Sequence, residues 1–492
     1  MSELKKIYLM YPKKKGTVAP EIYGHFAEHI GGVIYDGIWV GKDSDIPNIK
    51  GFRKEIIDKL KNINAPVIRW PGGCYAEIYD WRDGIGEERP TRINFWNFYD
   101  EKNEPNEVGT HEFMDFCEAV GAKPYFAANM STTTPLHIRN WMDYCMSPKG
   151  STTLAKEREK NGHPEPFDIP FWGIGNENWG GGGNMNPDYY ANEYRKYATT
   201  MHYTFRNKHL ANDNPMEFYA CGEDAFDFNW TDGVMRNLKD SLKLVNGFCM
   251  HYYCNISESP YDYTDKQWDE MMEKASKMED IIKRNWNIIC AYGMEEQVKL
   301  IVDEWGCWYP GGYGPSKGAN LFEQQSTIRD AVVTALTLNI FNNNCDKVRM
   351  ANVAQLVNNI HALFLSSGDK CITTPIYHVF DMYKGHQGAD AIETFVTDNT
   401  ERASSVSVSA SVKNGKTLVT VANLSCKEDF EISLEAIGTE KEQNAKATLL
   451  SSDNLLKCNT FEEPDAIVPR TFEVDISKHF TIPKASVLSV EF

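Results

Sequence analysis

The sequence predicts a (β/α)8 barrel carrying a C-terminal β-sandwich. Three observations carry that expectation. Eight short apolar strands alternate with longer amphipathic stretches between residues 18 and 383. From residue 384 the helix signals fade and period-two alternation between turn residues takes over. No GxGxxG or GxxxxGK[ST] opens a helix, which counts against an open nucleotide-binding sheet.

In chain order, KIYLMY (6–11) comes first, within an N-terminal strand region of residues 1–17 that is expected to pair with the sandwich. The barrel strands are then read at 21–28 (EIYGHFAE), 66–73 (PVIRWPGG), 123–130 (KPYFAANM), 170–178 (PFWGIGNEN), 217–224 (EFYACGED), 244–253 (LVNGFCMHYY), 298–305 (VKLIVDEW) and 347–355 (KVRMANVAQ). Runs apolar on both faces and separated by crossover helices such as 109–122 and 187–205 indicate a parallel sheet. The sandwich, residues 384–492, is read from SSVSVSASVKNGKTLVTVANLS, DFEISLEAIG, NAKATLLSS, RTFEVDIS and ASVLSVEF.

Bulk properties narrow the function. A net charge of −18 disfavours nucleic-acid phosphates and anionic membrane surfaces as partners but not uncharged ligands such as sugars. The opening MSELKKIYLMYPKKK has no apolar stretch of signal-peptide length, and nothing is long enough to span a bilayer. Twelve cysteines are scattered without CxxC pairing, so a reduced, cytoplasmic protein is expected. The four N-x-S/T sequons are read as chance.

In such a barrel the active site lies at the carboxyl ends of the strands. Several strands end in polar residues that are costly to desolvate unless they pair or work: Glu28, Arg69, Asn176-Glu177, His251, Asp303-Glu304 and Gln355. A single glutamate after a strand is more often a capping or loop carboxylate. Two at matched ends of strands four and seven, each followed within two residues by tryptophan, suggest a pair flanking one bond, as a retaining glycosidase requires. Asn176 has an amide suited to a sugar hydroxyl beside the anomeric carbon.

The stretches RWPGGCYAEIYDWRDGIG, NEVGTHEFMDFCE, FWGIGNENWGGGGNM, MHYY, LIVDEW and NVAQLVN, in that order, with TPIYHVFDMY at the exit from the barrel, resemble the α-L-arabinofuranosidases of glycoside hydrolase family 51. The resemblance implies a retaining double displacement with neither cofactor nor metal. Carried over, Glu177 resembles the acid/base and Glu304 the nucleophile. Glu28, Arg69, Asn176 and Gln355 are similar to the residues that grip the arabinofuranose, Tyr253 to the tyrosine that bonds the nucleophile, and His251 to its neighbour. Cys74 and Trp96 complete the expected substrate-binding set. The resemblance further implies arabinofuranosyl oligosaccharides from arabinoxylan or arabinan as substrate and a homo-oligomer, hexameric or tetrameric.

The physical expectation is that Arg69 keeps Glu304 ionised, while a less polar setting keeps Glu177 protonated. Two departures stand beside the site. Cys74 follows PGG, and a thiol is a weak hydrogen-bonding group. NMSTTT (129–134) replaces a glycine-bearing loop, which leaves aglycone preference open. The alternatives are a β-xylosidase or endo-β-glucanase on the same scaffold, or a non-catalytic sugar-binding protein. Other candidates are read as structural. His25 and His29 have helical ligand spacing but sit on a strand segment without a third ligand, and Cys307 has no relay partner. Trp96, Trp179 and Trp308 are expected at the mouth, either stacking on sugar or packing.

Overall fold

The computed structural model describes residues 4–97, 103–209, 215–256, 259–397, 405–440 and 443–492. Eight strands close into a barrel: Gly24–Phe26, Val67–Trp70, Lys123–Ala128, Phe171–Ile174, Glu217–Ala220, Gly247–Asn255, Lys299–Trp308 and Val348–Val353, called strands one to eight. Every neighbouring pair is parallel, including eight with one, which closes the ring. Each strand falls inside or across one of the eight apolar runs read from sequence. The runs are apolar throughout because both faces are covered: strands two and four are buried at every residue. Inside the ring, Val67, Tyr125, Phe171, Tyr219, Cys249, Ile301 and Met350 form a packed layer, one residue from each of strands two to eight. At the opposite end from the site, Glu21 pairs with Lys123 at 2.9 Å and Arg349 at 2.5 Å.

The helix Ile328–Asn343 is buried on almost every side although seven of its sixteen residues are polar. It lies between the barrel and the C-terminal sheet. Two of its asparagines have partners in that sheet: Asn342 Nδ2 donates to Ser409 Oγ at 3.0 Å and Asn343 Nδ2 to the Val408 carbonyl at 2.8 Å. Trp268 Nε1 adds a bond to the Leu424 carbonyl at 2.8 Å.

The second sheet has nine strands. From one edge these are Arg470–Asp475, Asn444–Leu450, Ser486–Glu491, Lys416–Asn423, Val406–Lys413, Asp390–Thr397, Leu4–Thr17, Phe430–Ile437 and Phe480–Ile482. The N-terminal strand is therefore internal, antiparallel to Asp390–Thr397. Its other pairing, with Phe430–Ile437, is parallel, and among the described residues the only such pair in a sheet the sequence reads as wholly antiparallel. Alternate residues such as Ile7, Leu9, Val419, Val421, Ile432, Leu434 and Leu449 share one apolar core.

Candidate active site

The polar strand ends meet in one place. Glu177 follows strand four, Glu304 lies in strand seven and His251 in strand six. His251 Nδ1 is 2.9 Å from Glu177 Oε1 and 3.5 Å from Glu304 Oε2. An oxygen of each glutamate and a ring nitrogen of His251 all lie within 4.8 Å of one another, so the two carboxylates border one small space.

Arg69, at strand two, is buried below them. Nη1 donates to Glu304 Oε1 at 2.7 Å and Nη2 to Asn176 Oδ1 at 2.6 Å. Its plane stacks on Phe26, 4.5 Å from the ring centre. The Tyr253 hydroxyl donates to Glu304 Oε2 at 2.7 Å, so both oxygens of that glutamate are engaged and its position is fixed. Glu28 forms the floor on the other side. Its Oε1 accepts from the Gly73 and Tyr75 amides, both at 3.0 Å, and from Trp96 Nε1 at 3.1 Å; its Oε2 accepts from Gln355 Nε2 at 3.0 Å. Burial, and then the nearby charge of Glu304, push the Glu28 carboxyl up to about 7.

Asp303, read from sequence as a polar strand end but given no role there, lies within the same cluster. Its carboxylate is 3.3 Å from Arg69 Nε and 3.2 Å from His251 Nε2, and it accepts from the Tyr125 hydroxyl at 3.0 Å. Strict strand alternation would turn Asp303 away from the side that holds Glu304. The register of strand seven slips against both neighbours between Ile301 and Trp305, and this irregularity brings the two consecutive acids into one cluster. Burial raises the Asp303 carboxyl, but Arg69 and His251 outweigh it and hold it at about 2.

The setting of Glu177 corrects the sequence expectation. Burial pushes this carboxyl up, yet the hydrogen bond and charge of His251, with the Cys74 thiol donating at 3.2 Å, more than offset it and hold Glu177 below the usual range. Burial likewise lowers His251, but the charges of Glu304 and Asp303 prevail and keep its pKa well above the ordinary imidazole value. Both directions favour a proton on His251, one hydrogen bond from Glu177. The thiol of Cys74 is held protonated by burial and by the carboxylates around it, so it acts as a donor.

The glycine loop closes over this cluster. Glu177 has a left-handed backbone, φ 44°, and its carbonyl accepts from the Gly180 amide at 2.8 Å and the Gly182 amide at 3.0 Å. A Cβ on Gly181 would sit 2.9 Å from Cys74 Sγ, and one on Gly182 would collide with the Asn176 carbonyl. NMSTTT meets the same loop by hydrogen bonding: the Ser131 hydroxyl donates to the Gly182 carbonyl.

The remaining candidates separate cleanly. Trp308 packs edge-on against Tyr253, and Phe322 lies between Trp308 and Trp96. Trp179 is tied by its indole N–H to the Gly222 carbonyl at 3.1 Å. His25 is buried against Phe380, while His29 bonds Glu104 and Trp70. Among the described residues, ligand-type groups also gather at Cys307, Asp330 and His361. There Asp330 caps the helix Ile328–Asn343 and accepts from the Tyr309 hydroxyl, and His361 Nε2 pairs with Thr334.

Comparison with known proteins agrees with the geometry. Residues 59–272 match the model of the α-L-arabinofuranosidase 1 domain and residues 303–486 that of the α-L-arabinofuranosidase C-terminal domain. An intracellular exo-α-L-arabinofuranosidase of Bacteroides ovatus is 36% identical, covering 97% of this chain and 93% of its own. The α-L-arabinofuranosidase C of Emericella nidulans is 30% identical over 72% of this chain and 69% of its own. Among solved structures, the family 51 arabinofuranosidase of Xanthomonas axonopodis pv. citri superposes with a TM-score of 0.91 at 33% identity, covering both chains completely. The arabinose complex of the Thermotoga maritima α-L-arabinofuranosidase gives 0.85 at 27%, covering 99% of each.

Proposed function

The chain belongs to the α-L-arabinofuranosidases of glycoside hydrolase family 51, and from that premise we propose a retaining, exo-acting enzyme in which Glu304 is the nucleophile and Glu177 the acid/base. The observation that carries this reading is the approach of both glutamates to one nitrogen of His251, with an oxygen of each carboxylate within 4.8 Å of the other. Such closeness favours direct attack by a carboxylate over attack by an interposed water.

In the first step an oxygen of Glu304 bonds to the anomeric carbon, the glycosidic C–O bond breaks, and the leaving oxygen takes a proton from Glu177. Substrate entry removes water from the His251–Glu177 pair, and the proton stored on His251 passes along the 2.9 Å contact to Glu177. In the second step Glu177 takes a proton from water, the water oxygen bonds to the same carbon, and Glu304 departs as carboxylate. Arg69, Tyr253 and Asn176 hold Glu304 and the adjoining hydroxyl, while Glu28, Gln355 and Trp96 form the opposite wall.

The exo mode is supported by burial: Arg69, Asn176, Gln355 and Glu28 are all 5% exposed or less, as in a blind pocket fitted to a terminal sugar. Arabinoxylan- or arabinan-derived oligosaccharides are the proposed substrates. A cytoplasmic location is supported by twelve unpaired cysteines and by the relative named intracellular. A homo-oligomer, tetramer or hexamer, is proposed from the family resemblance, and sedimentation equilibrium decides it. The deciding experiment on activity is turnover of 4-nitrophenyl α-L-arabinofuranoside beside the β-xyloside and β-glucoside. Selective arabinofuranoside turnover, abolished in Glu304→Ala, with arabinose released in the same anomeric form as the substrate by NMR, is expected. Selective turnover of another glycoside, or inversion, overturns the reading.

A further inference from the structure

We propose that Glu77 is the positioning residue that aims the acid/base, by tying down the residues on both sides of Glu177, Asn176 by its backbone amide and Asn178 by its side chain. This rests on the acid/base reading of Glu177 above. Glu77 lies in the stretch after strand two, is 1% exposed and touches neither Glu177 nor Glu304 by a hydrogen bond. Its carboxylate gathers four N–H donors from the loops after strands three and four. Oε1 accepts from the Asn176 amide at 2.7 Å and from Asn178 Nδ2 at 2.9 Å. Oε2 accepts from the Met130 amide at 2.8 Å and the Ser131 amide at 2.9 Å.

The residues immediately before and after Glu177 are thus tied to the same oxygen. Between them Glu177 adopts φ 44°, a region that a residue with a Cβ seldom occupies without outside restraint. The clamp continues outward. Asn178 Nδ2 also donates to the Gly182 carbonyl at 2.7 Å, and the Ser131 hydroxyl reaches the same carbonyl. One buried carboxylate therefore fixes the strand-four turn, the glycine loop and the NMSTTT loop together. Four donors converging on two oxygens require an acceptor-only group. A glutamine would set its NH2 against one of the two donor pairs, leaving N–H facing N–H.

The function of this clamp is to hold the Glu177 carboxyl where the leaving oxygen departs, and it is tested by leaving-group dependence. Wild type, Glu77→Gln and Glu177→Ala are compared by kcat/KM, which reports the first step, on 2,4-dinitrophenyl α-L-arabinofuranoside and on an arabinosylated xylo-oligosaccharide. The first leaving group departs without a proton and the second needs one. A misaimed acid is expected to lower kcat/KM on the oligosaccharide about 100-fold in Glu77→Gln and to leave the dinitrophenyl substrate near wild type. Added azide should then raise kcat on the dinitrophenyl substrate by replacing base-assisted water, as it should for Glu177→Ala. Equal loss on both substrates, or no loss on either, overturns the positioning role. If Glu177→Ala itself shows equal loss on both, the acid/base reading fails instead. If Glu77→Gln does not fold, Asn178→Ala removes one arm and keeps the carboxylate. The same split between substrates supports the clamp, and a uniform loss overturns it.

Discussion

Three carboxylates packed around His251 favour its charged form. Its raised pKa stabilises the folded state below the unfolded value of about 6.5, and this contribution is lost as pH rises through the folded value. Replacing Asp303 by asparagine removes one negative partner from His251 and one from Arg69. The expected results are a kcat/KM–pH profile whose alkaline limb moves to lower pH, and a destabilisation of about 3–5 kcal/mol for breaking a buried pair, read by urea unfolding. An unmoved limb refutes the coupling. At this scale the sequence exposed Glu177 and Glu304, because a carboxylate ending an apolar run is conspicuous. It marked Asp303 only as a polar strand end and gave it no role: alternation with Ile301 keeps Asp303 inside the ring, it is Glu304 that the slip in strand seven turns in, and the partners of Asp303 lie on other strands. It also misled on the polarity around Glu177, whose charge depends on a histidine 74 residues away.

At the level of elements, the glycine run after strand four is short of space as much as it is flexible. Gly182 has the Asn176 carbonyl against the position of any Cβ and Asn178 Nδ2 3.0 Å from it, and both neighbours are parts of the turn that carries Glu177. Gly182→Ala must therefore displace the loop. The expected outcome is a fall in kcat/KM of about 100-fold with a much smaller change in the thermal midpoint, because the loop adds little to the core. Wild-type kinetics in this variant would mean that the loop is not coupled to the site. The eight strands were legible because burial on both faces writes each as a continuous apolar run. The hydrogen bond from Ser131 to the loop was not legible, since a serine among threonines has no periodic signature.

For the whole molecule, acid is the weak side. His25, His361 and His386 are each fully buried, and burial pushes each down to about 3. In the unfolded chain they titrate near 6.5. A depressed pKa contributes stability above the unfolded value, and this is lost as pH falls from about 6.5 towards 3. Unfolding between these limits therefore takes up protons, up to three from this set. Unfolding free energy measured against pH should fall steeply below about 6, and His386→Gln should reduce the slope by roughly one proton. An unchanged slope would mean that His386 titrates normally. His386 bonds Ser411 and Thr420 of the second sheet, so this proton is tied to the junction between barrel and sheet.

The sequence by itself determined the barrel and the polar strand ends, Glu177 and Glu304 among them, because those depend on local properties: runs of apolar residues, turn glycines and acids at strand ends. The family was indicated by the resemblance of its motifs. The tertiary structure alone decided how the acids are charged and held. Asp303 facing Arg69 and His251, the carboxylates around His251, the four donors on Glu77 and the parallel pairing of the N-terminal strand inside its sheet are all contacts between distant segments. Electrostatics and hydrogen bonding in a buried site depend on distances between side chains, and only the closed barrel sets those distances.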